Sequence, residues 1–271
     1  MQKTNRKKFS FYELLAASLT AAFFAIIIPN FISTNTAENA SIVLFCAVPM
    51  IFTVIAIINS KKNGVIGTHG KAWFFFACLA ASQFIADQTW FVYDKIFGID
   101  PFPSMADVFY LSFFPIFIIF SIYYIAPVKD VISKKLALGA ISLSLVTLLT
   151  TFYLTYSFEL DYFAEKPLES AIALSYTIGD SLVLIPTVLA IALFLRGKVN
   201  LSWILIFLGI LTMIATDSLF LVEEIESNYS YGHPLDVGYL WMYVFFIFGI
   251  YSNMQVFSKR RNHLLNREKF K

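Results

Sequence analysis

Hydrophobic residues in this sequence occur as long runs and do not alternate with polar residues. Eight runs recur along the chain, each of roughly the 20 residues that an α-helix needs to cross a bilayer core of about 30 Å. None shows the polar–apolar alternation of a barrel strand, so the pattern predicts an all-α, polytopic integral membrane protein with eight transmembrane helices. The runs cover residues 11–32, 41–59, 72–93, 105–126, 135–157, 170–195, 201–222 and 235–257.

The composition also fits a membrane protein. Of the 271 residues, 58% are hydrophobic and only 14% are charged, and 30 are phenylalanine. These proportions lie far outside those of an ordinary soluble domain. The sequence therefore predicts a single membrane domain over residues 1–271, with the lipid bilayer as its surroundings.

Basic residues are distributed unequally over the segments between the runs. Eighteen of the 20 lysines and arginines fall in alternate segments, which include the N-terminal segment and a basic tail at 258–271. By the positive-inside rule, this predicts a multi-pass protein of the cell membrane with both termini in the cytoplasm. The opposite segments carry ten acidic residues, so the outer face is predicted to be acidic. The basic ends are expected to contact anionic lipid headgroups and not nucleic acid.

The second half of the chain resembles the first. The segment IADQTWFVYD at residues 85–94 aligns with ATDSLFLVEE at residues 215–224. In this alignment Asp87 matches Asp217, and both acids lie well inside an apolar run. The similarity indicates an internal duplication.

A second pair of segments extends the duplication. Asp107 and Tyr110 match Asp236 and Tyr239 within a shared D-V-x-Y-L core. The simplest account is two tandem four-helix repeats, and because four is an even number both repeats have the same orientation. The repeats are predicted at about 11–126 and 135–257.

Five aspartates are predicted to lie in the outer half of the helix bundle. Two of them lie about 15 residues into helices that run outward, which corresponds to roughly 22 Å from the cytoplasmic edge. Two others lie in the first turn of helices that run inward. A carboxylate facing lipid costs a few kcal/mol or more, so all five are expected to face the bundle interior or water. They are Asp87, Asp217, Asp107, Asp236 and Asp180.

Two of these acids have a structural explanation. Ser104 and Asp107 have the S-x-x-D spacing of a capping box, whose oxygens accept from the free N–H groups of a helix start. Asp236 follows Pro234 by two residues, a position that the positive end of the helix dipole favours. The capping role is therefore the simpler interpretation for Asp107 and Asp236, beside a role as ligand-binding candidates.

The other three acids lie too far from a helix start to be caps. Asp87 and Asp217 are expected either to accept hydrogen bonds from a neighbouring helix or to form a ligand or proton site. The same two alternatives hold for Asp180, which follows Gly179 in the segment YTIGDSLVLIP. The candidate hydrogen-bond donors, which are also candidate ligand-binding residues beside the five aspartates, are Tyr110, Tyr176 and Tyr239.

The four tryptophans fall near the ends of the predicted spans. This is where amphipathic rings gather at membrane–water interfaces, so the positions predict an interfacial belt with no further role. The residues are Trp73, Trp90, Trp203 and Trp241.

Several chemistries find no support in the sequence. A zinc site needs clustered histidines, whereas His69, His233 and His263 fall in segments on opposite sides of the predicted membrane. No phosphate-binding loop, serine elbow or Cys-x-x-Cys pattern occurs. We therefore predict neither catalytic nor metal-ligating residues, identify no cofactor, and leave an enzyme acting on lipid as an open but weakly supported alternative.

Five short motifs together resemble a known family. The order W-F-F-F-A-C-L-A-A-S-Q-F-I-A-D, P-S-M-A-D-V-F-Y-L-S-F-F-P, Y-T-I-G-D-S-L-V-L, A-T-D-S-L-F and P-L-D-V-G-Y-L-W resembles the multi-helix N-terminal membrane region of bacterial diguanylate cyclases and some histidine kinases. The resemblance covers roughly residues 70–255, with Thr177 where proline is common in that family. It implies a sensory module, here stand-alone, whose signalling partner is expected to be a separate protein.

Three functions follow as hypotheses. The first is a sensor-like membrane protein that binds a small ligand, cation or proton at the outward-facing acidic cluster and passes the change to a partner. The second is a transporter, which would need a polar path through the inner halves of the spans. The third is a structural subunit of a membrane complex, in which the buried acids only hold helices together.

Overall fold

The computed structural model describes residues 10–158, 165–197, 200–225 and 228–268. Within these ranges the chain is helical and contains no β-strand, which confirms the predicted all-α class. A π-helical segment at Val92–Phe97 and a 3₁₀ segment at Ala126–Val131 extend two of the helices. The long helices of the described ranges are α1 (Phe11–Asn30), α2 (Thr34–Asn63), α3 (Gly67–Phe91), α4 (Met105–Ile125), α5 (Lys134–Phe158), α6 (Pro167–Leu195), α7 (Leu201–Ile225) and α8 (Asp236–Glu268).

Local sequence signals fix several helix ends. Ser10 and Glu13 form a capping box at the start of α1. Ser104 and Asp107 form one at the start of α4, as their spacing predicts. The π-helical segment after α3 ends at Gly98, whose φ of 62° lies in the left-handed region that glycine adopts without strain.

Seven helices within the described ranges are long and apolar enough to cross a membrane, and α3 falls short of that measure. The protein is therefore a multi-pass helical membrane protein by length and composition. In α3, polar side chains interrupt the apolar ones, and three of the polar residues are buried inside the bundle: Ser82, Gln83 and Asp87. The low apolar content of α3 thus reflects a helix that contacts other helices on most of its surface.

The helices pack in the same order in both halves of the chain. α3 packs against α2 and α4, and α7 packs against α6 and α8. Contacts between the halves join α2 to α8 and α4 to α6. We call the end of the bundle where α3 and α7 finish and α4 and α8 begin the acidic end, and the opposite end the basic end.

Aromatic rings fill the middle of the bundle. Six phenylalanine side chains from five helices have no exposed surface and contact one another edge-on, stacked or tilted. Burial of this much apolar surface, together with ring contacts at 4.9–5.8 Å between centroids, makes this layer the packed centre of the fold. We call it the aromatic plug: Phe52, Phe76, Phe117, Phe120, Phe207 and Phe246.

The prediction of an interfacial tryptophan belt is wrong for three of the four residues. Trp73 is fully buried, and its ring packs against Phe76 and Tyr124. Trp203 is also buried, stacked on Tyr124 with 4.2 Å between ring centroids. Trp90 is buried near the acidic end. These rings face other helices, because position near a span end does not determine which way a side chain points.

Polar contacts join the connections at the acidic end. The Lys95 ammonium group lies within ion-pair distance of Glu38 at the start of α2 and 3.0 Å from Asp94. Burial lowers the pKa of Lys95, but the hydrogen bonds to Glu38 and Asp94 outweigh that effect and raise it. The Asn30 amide donates to the Gly232 carbonyl at 2.8 Å and so joins α1 to the α7–α8 connection.

Candidate functional site

A cavity of about 120 Å³ lies between the aromatic plug and the acidic end. The described helices α2 to α8 and the connections before α4 and α8 all contribute to its wall. Carboxyl groups from four helices line it: Asp87, Asp107, Asp180, Asp217 and Glu224. The structure thus brings together four of the five aspartates that the sequence singles out, and also all three of the candidate tyrosines.

Asp87 on α3 accepts a hydrogen bond on each of its two carboxyl oxygens. Tyr110 on α4 donates to Oδ1 at 2.7 Å, and Tyr243 on α8 donates to Oδ2 at 2.6 Å. Asp87 is only 6% exposed, so two hydroxyl donors replace the water that a carboxylate would otherwise bind. Asp87 therefore ties α3 to α4 within one half of the chain and to α8 in the other half.

Asp217 on α7 occupies a similar setting with one donor fewer. Tyr239 on α8 donates to Oδ1 of Asp217 at 2.8 Å, as Tyr110 does to Asp87. Asp217 is half-buried, because part of its carboxyl group faces the cavity. It retains capacity to accept a further hydrogen bond.

Asp180 on α6 differs from the other acids in having an unpaired oxygen. It is 6% exposed, and its Oδ1 atom is buried without a hydrogen-bond partner. The α6 backbone can approach α4 closely at the preceding Gly179, where a Cβ atom would overlap the ring of Phe114. Asp217 on α7 lines the same cavity as Asp180. A buried carboxyl oxygen without a hydrogen bond costs free energy. A ligand that donates a hydrogen bond would therefore gain the most binding free energy at Asp180.

Asp107 has the capping role that its spacing predicts, and it also contributes to the wall. Its Oδ2 accepts from the Ser104 backbone N–H at 2.7 Å. Its Oδ1 accepts from the Tyr176 hydroxyl at 2.8 Å, which links the start of α4 to α6. Both oxygens are therefore occupied, and Asp107 serves as a structural part of the wall.

Asp236, which the sequence places beside the acidic cluster, does not line the cavity itself, but Tyr229 of the cavity wall donates to it. It is fully buried and accepts from Ser41 on α2, from Tyr229 at 2.9 Å and from the Gly232 backbone N–H at 2.8 Å. Asp236 lies in the first turn of α8, where the helix dipole favours an acid, and its carboxyl group turns back to the α7–α8 connection. Asp236 holds this connection closed, since three donors surround it.

Aromatic side chains make up half of the described lining residues, and none of these lining residues is lysine, arginine or histidine. Within the described ranges, no group of three His, Cys, Asp or Glu side chains could hold a metal ion. The wall is therefore aromatic and acidic, with its carboxyl groups dispersed over several helices. Ring edges and faces offer a surface that suits apolar groups and cations.

The floor of the cavity adjoins the aromatic plug. Phe113 lines the cavity and stacks on Phe117 of the plug, with 5.7 Å between ring centroids. Below the plug, the basic half holds a separate polar cluster in which Asn253 donates to Asn59 at 3.1 Å. The plug thus separates the acid-lined cavity from the buried polar groups near the basic end.

Sequence reasoning missed several residues of the site. Tyr243 was not a candidate, because its partner Asp87 lies 156 positions earlier and in the other half of the chain. Its position one turn after Tyr239 on α8 is the signal that could have found it. Glu224 and Gln83 also line the cavity. Glu224 aligns with Asp94 of the first half of the chain, but the alignment does not show which way its side chain points.

The fold and the site together define a class: a multi-pass, all-helical membrane protein with an acid-lined aromatic cavity in one half of its bundle. Comparisons with protein-family models, with curated proteins and with solved structures found no match for this chain. The geometry of the cavity and the sequence patterns therefore indicate what this protein does.

Proposed function

We propose that this chain is a sensor-like integral membrane protein with eight transmembrane helices. Its acid-lined cavity binds a small ligand, cation or proton from the extracytoplasmic side, and the change is passed to a separate partner protein. The observation that carries this proposal is Asp180, a buried carboxyl group with an unpaired oxygen in the wall of a cavity. A purely structural acid would be expected to have its oxygens paired, as those of Asp87 and Asp107 are.

The inclusion of α3 as the eighth span is supported by its length and its surroundings. Its 25 residues correspond to about 37 Å of helix, more than the roughly 30 Å of a bilayer core. Its polar residues Gln83 and Asp87 are buried between helices and not directed at lipid. With eight spans, both termini lie on the same side, which the distribution of basic residues assigns to the cytoplasm.

Equivalent hydrogen bonds support two parallel repeats. Tyr110 on α4 donates to Asp87 on α3, and Tyr239 on α8 donates to Asp217 on α7. The acid at the start of α4 is bonded to α6, and the acid at the start of α8 is bonded to α2. Under the duplication, α2 corresponds to α6, so each link has a counterpart in the other half. Asp180 has no counterpart, because α2 carries no acid within its apolar run.

Helix α8 is the element best suited to pass a signal from the cavity to the basic end. Tyr239 and Tyr243 on α8 bind the acids of α7 and α3. The helix continues to Glu268, so its 33 residues span about 50 Å and extend beyond a bilayer core of about 30 Å. A shift of α8 at the cavity would therefore move its basic end, where a cytoplasmic partner could contact it.

A bound proton and a bound cation both neutralise the negative charge of the carboxyl groups. The experiment that tests this proposal therefore neutralises these groups by pH or by substitution. Nitroxide labels at Lys135→Cys on α5 and Gln255→Cys on α8, with Cys46 and Cys78 replaced by alanine, report the distance between these helices at the basic end. We expect the distance distribution of the wild type to change between pH 8 and pH 5.

The double variant Asp180→Asn and Asp217→Asn should give at pH 8 the distribution that the wild type gives at pH 5. Asp130→Asn, at an exposed position near the basic end, is the matched control and should behave as the wild type. One distribution for all three proteins at both pH values would contradict a sensor built on these acids.

A transporter is a second candidate, favoured by the buried polar cluster around Asn59 and Asn253 near the basic end. Transport would require the aromatic plug between this cluster and the cavity to move. Flux of protons or small cations into proteoliposomes would distinguish a transporter from a sensor. Stoichiometric co-purification with other membrane proteins, with no response to neutralisation, would instead favour a structural subunit.

A further inference from the structure

The proposed function leaves the ligand of the cavity undefined, but the wall of the cavity restricts its chemistry. We infer that the cavity binds a small organic ammonium ion that carries one compact apolar group, with its nitrogen between Asp180 and Asp217. This inference depends on the proposed function only in taking the cavity as the ligand site.

The unpaired oxygen determines where the ligand's polar group binds. Oδ1 of Asp180 is buried, lacks a partner and belongs to a side chain that lines the cavity. Asp217 lines the same cavity and uses Oδ1 to accept from Tyr239. An ammonium group has three N–H donors, so it can satisfy Asp180 and still donate to Asp217.

The charge of the wall determines the sign of the ligand's charge. Five carboxyl groups line the cavity, and no lysine, arginine or histidine is found among the described lining residues. Within this part of the chain, a positive charge that balances ionised carboxylates must therefore come from outside the protein. Burial of several like charges without a counter-ion is strongly unfavourable, so the site favours a cation over an anion.

The geometry of the wall argues against an inorganic cation. Calcium requires six to eight oxygen ligands and magnesium a near-octahedral set, whereas no group of three acidic, histidine or cysteine side chains in the described ranges could hold a metal. The oxygens of Asp87 and Asp107 already accept from tyrosine or backbone donors. An ammonium ion needs only one or two acceptors and no coordination sphere.

The aromatic part of the wall explains why the ligand should carry an apolar group. Phe114 and Tyr176 pack on each other beside Asp180, with 6.2 Å between ring centroids, and both line the cavity. Met213 and Met242 also line it and can adapt to irregular shapes. Rings near an ammonium group add a cation–π attraction, and they bury the hydrocarbon part of the ligand. The cavity of about 120 Å³ is of the same order as the roughly 150 Å³ cavity that holds benzene in an engineered protein.

The test compares benzylammonium with benzyl alcohol, a neutral molecule of nearly the same shape, on the full chain in lipid nanodiscs. Trp90 lines the cavity, so its fluorescence reports occupancy, and thermal unfolding gives a second measure. We expect saturable binding of benzylammonium, with benzyl alcohol at least about tenfold weaker, because the charge-assisted hydrogen bond is lost.

The variant Asp180→Asn keeps the shape and removes the charge. It should weaken the binding of benzylammonium about tenfold or more, while the binding of benzyl alcohol stays the same. The exposed control Asp130→Asn should leave the binding of both molecules unchanged. Retained benzyl alcohol binding shows that the Asp180→Asn variant is folded. If this variant does not fold, the comparison of the two molecules on the wild-type chain still decides the inference.

Equal binding of the two molecules, no binding of benzylammonium, or its displacement by potassium ions at equal concentration would overturn the inference. These failures can be distinguished from failure of the proposed function. A basic-end distance that still responds to Asp180→Asn with Asp217→Asn would leave the sensor in place with another ligand. If benzylammonium does not bind and the basic-end distance also does not respond, the sensor is rejected as well.

Discussion

The acids of the cavity differ chiefly in how many donors they have. Asp87 accepts from two tyrosine hydroxyls, one from each half of the chain, and has no free oxygen for a ligand without loss of a helix contact. Asp180 has an unpaired oxygen at the same degree of burial. At the scale of single residues, a structural acid and a candidate ligand-binding acid are thus distinguished by their partners and not by their depth.

The variant Tyr243→Phe tests the structural role of Asp87. It removes one of the two hydroxyl donors and leaves Oδ2 of a buried carboxyl group without its partner. We expect a loss of about 0.5–2 kcal/mol in the free energy of unfolding, measured by denaturant titration in detergent micelles. Tyr12→Phe, at a tyrosine that is 66% exposed, should change stability by less than about 0.5 kcal/mol. A loss of unfolding free energy no greater for Tyr243→Phe than for this control would show that the hydrogen bond does not stabilise the fold.

The sequence predicts part of this site for a clear physical reason. Tyr110 and Tyr239 are candidates from the sequence because each lies in a D-V-x-Y-L segment, which occurs once in each half of the chain. Tyr243 could not be found in this way, because its bond joins helices that are distant in sequence. Trp73 was misjudged for the related reason that position along a helix does not fix the direction of a side chain.

At the scale of helices, close approach of α4 and α6 shapes the wall beside Asp180. Gly179 permits this approach, because any Cβ atom there would overlap the ring of Phe114. Gly139 on α5 has no such neighbour, since a Cβ atom there would contact nothing within 4 Å. The two glycines thus form a matched pair in which only one is required by packing.

We expect Gly179→Ala to lower the free energy of unfolding by about 1–3 kcal/mol through overpacking and to weaken any ligand bound at Asp180. Gly139→Ala should be neutral or stabilising by up to about 1 kcal/mol, because alanine favours the helix. Thermal unfolding in nanodiscs measures both variants under the same conditions. Equal effects in the two variants would mean that the α4–α6 contact does not depend on a small residue.

Helix α3 shows where prediction from sequence is strong and where it weakens. Its apolar run predicts a span, and the structure gives a helix of 25 residues at that place, but its composition alone falls below that of the seven other candidate helices in the described ranges. Three of the polar residues that lower its apolar content, Ser82, Gln83 and Asp87, are buried in the bundle. The polar residues that α3 contributes to the site therefore also lower its apolar content below that of the seven candidate spans.

At the scale of the whole molecule, the chain separates a polar cavity at the acidic end from a polar cluster at the basic end by a layer of buried rings. Composition and run length predict the helical membrane class, and the duplicated motifs predict that acids of both halves lie at similar depth. The aromatic plug could not be predicted, because thirty phenylalanines are spread over the chain and only packing shows which of them meet. The unpaired oxygen of Asp180 likewise depends on the packing of several helices.

The most direct test of the account is whether Asp180 can be reached from the extracytoplasmic side. Asp180→Cys and Thr187→Cys lie on one face of α6, two turns or about 10 Å apart, and Thr187 is fully buried. Both are made with Cys46 and Cys78 replaced by alanine and exposed in intact cells to a cationic, membrane-impermeant methanethiosulfonate. The account predicts that Asp180→Cys is modified and that Thr187→Cys is not. An unreactive Asp180→Cys, or equal rates at the two positions, would contradict it.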